Sequence, residues 1–227
     1  MELWQGLVKA VYLIINLDSE VLQIAGRSLS LAAISCAISI SIFIPLGSVI
    51  HFNSFTGKRL LTNIIQTCYS LPTVAIGLFV FVFISNSGPF GGLSLLFTPA
   101  AIVIGQMILI SPIIVGLTIS ALSGVNKAIP ETAFSLGANR IQMTLLVVKE
   151  ARFAILSAIT LAFGRAVSEV GLSMMVGGNI RGFTRTITTA IALESSKGDL
   201  ELALALGIIL LSLGLIVNLI LNRLQQR

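Results

Sequence analysis

The sequence predicts an all-α integral membrane protein of five transmembrane helices plus an N-terminal interfacial helix, on three observations. Of its 227 residues, 56% are hydrophobic and only 10% are charged, whereas about a quarter of an average soluble domain is charged. Mean hydropathy is +1.02. The apolar residues gather in runs near the roughly 20 residues a helix needs to cross the hydrocarbon core, and one polar-faced interruption, Pro130 to Val148 (PETAFSLGANRIQMTLLVV), lies between two such runs.

Taken in order, Met1 to Leu17 is too short and too interrupted to span. An interfacial helix is expected there, with Trp4 and Tyr12 at headgroup level. Glu2 precedes Lys9, the apolar core is short and no small-residue cleavage site follows, so the stretch reads as mature chain. Asp18, Ser19 and Glu20 make a cap-like break before a first span at 28–50, which holds Pro45 and Gly47 near its end. After the polar loop 51–59 comes a second span at 60–84 with SLPTVAIG at its middle. Pro72 removes a backbone hydrogen bond there, so the helix is expected to bend or break. A membrane tolerates such a break only where protein or water covers the exposed backbone, which puts Ser70, Pro72 and Thr73 toward the bundle interior. SNSGPFGG (85–92) is an uncharged turn, and a third span at 99–122 follows, bent by Pro112. The fourth span, 153–176, holds Arg165 and Glu169 deep in apolar surroundings. Residues 177–194 read as a loop plus a short or re-entrant helix, and the fifth span is 202–221.

The net charge of +5 is scattered over loops and span ends instead of forming the stripe that nucleic acid requires. Lys58, Arg59, Lys127, Arg140, Lys149, Arg152, Arg223 and Arg227 all fall on one side, which is cytoplasmic by the positive-inside rule. The N-terminus is then outside and the C-terminus inside. Arg181 and Arg185 dissent, lying on the outer face ahead of Glu194, Asp199 and Glu201. Gly57 to Arg59 lacks the upstream glycine and the following Ser or Thr of a Walker motif, so P-loop hydrolysis is excluded. Cys36 and Cys68 lie in apolar runs without metal or redox spacing, and the single histidine, His51, stands alone. No nucleophile and base pair stands out. Transport is the class that survives, driven by an ion gradient or by a separate ATPase.

In the interruption, Pro130 suits the first turn of a helix and Glu131 its positive end. Gly137 stops that helix within two turns, and Ile141, Leu145 and Val148 recur in a second one at three- and four-residue steps. Residues 127–148 thus form a compact cytoplasmic protrusion. An ordinary amphipathic helix on the membrane surface would explain the pattern but not the glycine.

Glu131, Ala133 and Gly137, followed by an aliphatic Val147, resemble the EAA loop of ABC importer permeases. SLPTVAIG and GRAVSEVG are similar to runs in molybdate, tungstate and sulfate permeases, and SEVGLSMMVGGNIRGFTRTITTAIALE with KEARFAI looks most like the tungstate branch. The likeness covers most of the chain from Ser28 onward. It implies a type I ABC importer (MetI-like) permease fold in a prokaryotic cell membrane, working as a homodimer. It implies a cytoplasmic ATP-binding subunit that holds ATP and magnesium, no cofactor in this chain, and an external protein delivering a tetrahedral oxyanion. Tungstate is the first expectation; molybdate and sulfate are alternatives. Glu131, Thr132, Ala133 and Gly137 are then the coupling positions, with Phe134 and Leu136 as apolar anchors. The family's aliphatic-x-Leu-Pro ending is replaced by Val147, Val148, Lys149 and Glu150, so the second short helix is expected to run directly into the fourth span.

Ionisable residues inside a span are functional candidates by default. Four-residue spacing puts Arg165 and Glu169 on one helix face, either as an internal ion pair or with Arg165 in an anion path beside Ser168, Asn179 and backbone N–H groups. Both can hold. Met174 and Met175 read as packing beside a flexible GGN segment. An ion-coupled secondary transporter would show internal repeats with matched broken helices and a midplane ion site; no repeat is visible, and Glu169 is the only obvious coupling carboxylate.

Overall fold

In hydrocarbon every backbone N–H and C=O must find its partner within the protein, which leaves apolar segments of this length the helix as their solution. The computed structural model describes residues 2–16 and 18–225. Among them the order is α1 (Glu2–Ile15), α2 (Ser19–Phe52), α3 (Lys58–Thr67), α4 (Thr73–Ile84), α5 (Pro99–Ser123), α6 (Ala128–Ser135), α7 (Arg140–Glu150), α8 (Arg152–Val167), α9 (Gly171–Gly177), α10 (Ile187–Lys197) and α11 (Leu200–Gln225).

The bundle is built around α5, whose 25 residues measure about 37 Å at 1.5 Å each. Ile102, Ile110 and Ile114 are wholly buried along it. Helix α2 runs parallel to α5, because Ser35 meets Val103 and Gln106 at one end while Gly47 meets Val115 and Thr118 at the other. A Cβ on Gly47 would lie 3.0 Å from the Val115 carbonyl, so glycine sets how closely the two helices approach. Helices α8 and α9 run antiparallel to α5: Ile155 clusters with Leu122, the Ala166 carbonyl meets Gln106, and Gly177 abuts Ile102.

Three helices, α2, α5 and α11, are long and apolar enough to cross a membrane, or five segments if each of two bent pairs counts as one. The expected second span is one of those pairs. Helix α3 and the 3-10 turn Cys68–Ser70 meet α4 at 100°, a far sharper break than a proline kink. Leu71 and Pro72 are both extended, with ψ of 133° and 125°, as the residue before a proline prefers. The fourth span is the other pair, with α8 and α9 bent by 58° across Ser168–Val170.

No proline lies at that second bend; side chains replace the missing ladder. Gln106 Nε2 donates to the Ala166 carbonyl at 3.0 Å, Glu169 Oε1 accepts from the Leu172 N–H at 2.8 Å, and the Thr188 hydroxyl donates to the Glu169 carbonyl at 2.7 Å. Helix α2 also differs from expectation, starting at Ser19 because Asp18 caps it through the Val21 N–H at 3.0 Å. Its 34 residues measure about 51 Å, well beyond a core of about 30 Å.

Helix α1 stands alongside α11. Gly6 faces Leu204 so closely that a Cβ would fall 2.6 Å from it, and Lys9 Nζ lies 3.8 Å from Asp199 and 3.5 Å from Glu201. Trp4 and Tyr12 are exposed on α1. The short helix expected within 177–194 is α10, three residues longer at its C-terminal end. Its cap is tied to α2 where the Ile187 N–H donates to Ser28 Oγ at 2.8 Å.

Candidate functional site

The protrusion is two helices joined by a tight reversal at the end of the bundle where α5 stops and α8 begins. Pro130 and Glu131 sit in the first turn or just after it on α6. Gly137 takes φ +83; its N–H donates to the Phe134 carbonyl and the Ala138 N–H to the Ala133 carbonyl, both at 3.0 Å. That is a Schellman stop, which needs a left-handed residue just past the helix. Helix α7 then starts on a capping box, with Asn139 and Gln142 each binding the other's backbone N–H at 2.9 Å.

One face of this pair is anchored. Ala133 is buried, and Val147, at 2% exposure, packs with Leu122, Ala151, Ile155 and Phe52. The opposite face is bare: Phe134 is 73% exposed, Leu136 82%, Ile141 73% and Leu145 63%. Glu131, Thr132 and Gly137 are exposed beside them. The stripe expected along α7 is therefore split, since Ile141 and Leu145 face out while Val147 does the anchoring. Helix α7 does not run unbroken into α8; the single residue Ala151, φ −74 and ψ 0, separates them.

The two bends lie side by side. A Cβ on Gly171 would fall 2.8 Å from Val74 Cγ2 and 3.5 Å from Thr73 Oγ1, and one on Gly77 would fall 2.9 Å from the Leu172 Cα. Along α5 they are bracketed by Gly105, which touches Leu172, and Gly116, which carries the Tyr69 hydroxyl. Ser111, the midpoint of α5, lies between those glycines. The α8–α9 bend is thus near mid-depth in the bundle, and the α3–α4 break begins at the level of Gly116, nearer the end of α5 that carries the protrusion.

Arg165 and Glu169 do not share a helix face, because α8 ends at Val167, and no ion pair joins them among the described residues. Glu169 is 4% exposed and caps α9. Arg165 is half-buried and rims a cavity of about 820 Å³ between α8 and α11, whose lining also includes the polar side chains of Ser157, Thr160, Ser168 and Asn218. Ser70 and Pro72 are exposed on the single chain and Thr73 is half-buried. The interior expected for them is not formed within one chain. Asn179 is at the opposite end of α9 from Arg165, with φ +50 and its amide donating to the Thr189 carbonyl at 3.3 Å.

Arg181 and Arg185, expected on the outer face, are engaged in ties between elements. Arg181 binds Glu20 through two nitrogens, one at 2.8 Å, and Arg185 Nη1 lies 3.7 Å from Glu20. Arg27 donates to the Gly182 and Arg185 carbonyls at 2.7 and 3.1 Å. These bonds fasten loop 178–186 to the start of α2. Gln106 is the residue at the mid-depth break that sequence reading passes over, and its signal is a lone side-chain amide in the apolar run of α5.

Residues 43–227 match the family described as binding-protein-dependent transport system inner membrane components. A probable anion ABC transporter permease of Haloferax volcanii is 41% identical, covering 90% of this chain and 90% of that one. A tungstate uptake system permease of Peptoclostridium acidaminophilum is 36% identical over 98% of this chain and 97% of its own. A bacterial alginate ABC transporter, solved in complex with a periplasmic protein bound to an alginate pentasaccharide, shares the fold at a TM-score of 0.77 and 18% identity, covering 95% of this chain and 82% of that one. With four-fifths of its length inside the family match, the chain belongs to the inner membrane components of binding-protein-dependent ABC transport systems.

Proposed function

We propose that this chain is the membrane-spanning subunit of an ATP-driven importer of a tetrahedral oxyanion, tungstate ahead of molybdate or sulfate. The observation that carries the coupling half of this reading is the bare apolar face of Phe134, Leu136, Ile141 and Leu145 on a helix pair fixed from behind by Val147. Such a face in water calls for a protein partner, and an ATP-binding subunit fits a chain that has no nucleotide motif of its own. The substrate half is supported by the tungstate permease relative.

The protrusion then faces the cytoplasm, with the C-terminus on the same side. Movement of the partner enters through Val147, Leu122 and Ile155 into α5 and α8. Helix α8 carries it over 16 residues, about 24 Å, to the bend at Ser168–Val170. A second copy of the chain covers the exposed break at Ser70 and Pro72, as a membrane demands of freed backbone. Arg165 offers a passing anion one mid-depth counter-charge, and a path with few such charges lets the anion leave. Selectivity is left to an external binding protein.

Proteoliposomes holding the chain, its ATPase subunit and the binding protein test this directly. Uptake of tungstate that requires lumenal ATP supports it. Gradient-driven uptake by the chain alone would establish an ion-coupled carrier instead, and sulfate preferred over tungstate would move the substrate.

A further inference from the structure

We infer that α3 lies in the inner membrane interface and that its first turn seats the headgroup of an anionic phospholipid. The inference rests on the orientation proposed above, with the α3 end of the bundle facing the cytoplasm. Sequence reading makes this segment the first half of a span, whereas its contacts set it across the bundle. Leu61 and Ile65 pack against Val115 and Ile119, and Tyr69 still touches α5 at Gly116. Eight residues of chain thus advance no more than about one turn along α5, so the helix crosses α5 instead of following it. The 100° bend before α4 says the same.

Helix α3 carries three stripes. Leu61 and Ile65 face the bundle. Leu60 and Ile64, 65% and 51% exposed, form a bare apolar stripe. Arg59, Asn63 and Gln66 form an exposed polar one. Apolar and polar stripes side by side, with cations in the first turn, on a helix that crosses the bundle near its end are the pattern of an interfacial helix. A water-facing helix would not bare Leu60 and Ile64, and a buried one would not bare Arg59.

A concavity of about 650 Å³ opens at its first turn, lined by Ser54, Phe55, Lys58, Arg59, Thr62 and Asn63. Lys58 Nζ donates to the His51 and Asn53 carbonyls at 2.5 and 3.1 Å, so it is held in place and lends its charge to the hollow. The Arg59 guanidinium has no hydrogen-bond or ion-pair partner among the described residues, and no carboxylate lines the hollow. Two cations with hydroxyl and amide groups beside them fit a phosphate. Phe55, 45% exposed, and the Leu60–Ile64 stripe beside the hollow fit acyl chains. Because apolar surface adjoins the cationic hollow, the occupant is a lipid and not free phosphate or the transported oxyanion.

The test is retention of phosphatidylglycerol against phosphatidylcholine by the purified full chain in detergent, read by native mass spectrometry. A membrane-surface cation contributes about a fivefold preference for anionic lipid. The wild type is expected to hold phosphatidylglycerol preferentially, with Arg59→Gln losing about fivefold of that preference and Arg59→Lys keeping it. Asn63→Asp, an exposed change that puts a negative charge in the hollow, is expected to lose as much. Equal retention of the two lipids by the wild type, undiminished preference in both Arg59→Gln and Asn63→Asp, or displacement of the lipid by millimolar inorganic phosphate or tungstate would overturn the assignment. The readout involves no transport, so it stands or falls apart from the importer reading.

Discussion

Replacing Gly137 by alanine isolates one physical quantity. A Cβ at Gly137 meets nothing within 4 Å, so the substitution adds no clash and removes no contact. Its whole effect is the backbone cost of holding an L-residue at φ +83, about 1–2 kcal/mol. The turn is needed to present Phe134 and Leu136 in front of Ile141 and Leu145; a relaxed turn would move α6 against α7. If docking requires the turn, the ATPase subunit must restore it, and the cost appears in the affinity as a loss of about 5- to 30-fold. Asparagine tolerates the left-handed region better than alanine, so Gly137→Asn should lose less. The assay is binding of the purified ATPase subunit to the permease in nanodiscs, with thermal unfolding of the permease alone as control. Equal affinity for glycine, alanine and asparagine would refute the claim that this turn shapes the docking face. So would an alanine loss accompanied by general unfolding.

Other expectations follow from the mid-depth packing. Gly116→Ala would place a Cβ 1.8 Å from the Tyr69 hydroxyl, forcing the ring off α5 at a cost of about 1–3 kcal/mol; the melting temperature should fall, and Tyr69→Phe in the same chain should recover part of it. Gln106→Leu strips the Ala166 carbonyl of the Gln106 amide hydrogen bond where α8 ends. It should cost about 0.5–1.5 kcal/mol, because the carbonyl keeps the Glu169 N–H; thermal unfolding reads the loss, and uptake should fall. Arg165→Ala should reduce oxyanion uptake on the order of tenfold, because a charge at this depth acts through a poor dielectric, while ATPase association stays unchanged; Arg165→Lys should retain part of the rate.

Local chemistry made the protrusion readable. Pro130, Gly137 and the periodic residues after it mark two helices and a stop, and the Schellman turn uses the glycine for its only unusual angle. Asn139 and Gln142 also carry a capping signature at the right spacing. Pro72 announces a break but not its 100° angle, which depends on Tyr69 settling on Gly116 through a contact remote in sequence. The bend at Ser168–Val170 has no breaker at all. It exists because Gln106 and Thr188, on other helices, take up the freed backbone, and so a periodic pattern through Arg165 and Glu169 reads as one helix. The exposure of Ser70 and Pro72 belongs to surfaces that a single chain does not complete.

The bare face of the protrusion is proposed to transmit the work of ATP hydrolysis into the bundle. Phe134 is 73% exposed, so Phe134→Asp should leave the permease folded and inserted while removing an apolar anchor of the kind that contributes about 2 kcal/mol or more to an interface. The decisive measurement is ATP-dependent tungstate uptake by proteoliposomes containing the permease, its ATPase subunit and the binding protein, with and without that substitution. Uptake should need lumenal ATP in the wild type and fall by about 30-fold in Phe134→Asp at limiting ATPase subunit. Undiminished uptake by the variant, at an unchanged requirement for ATP, would contradict it.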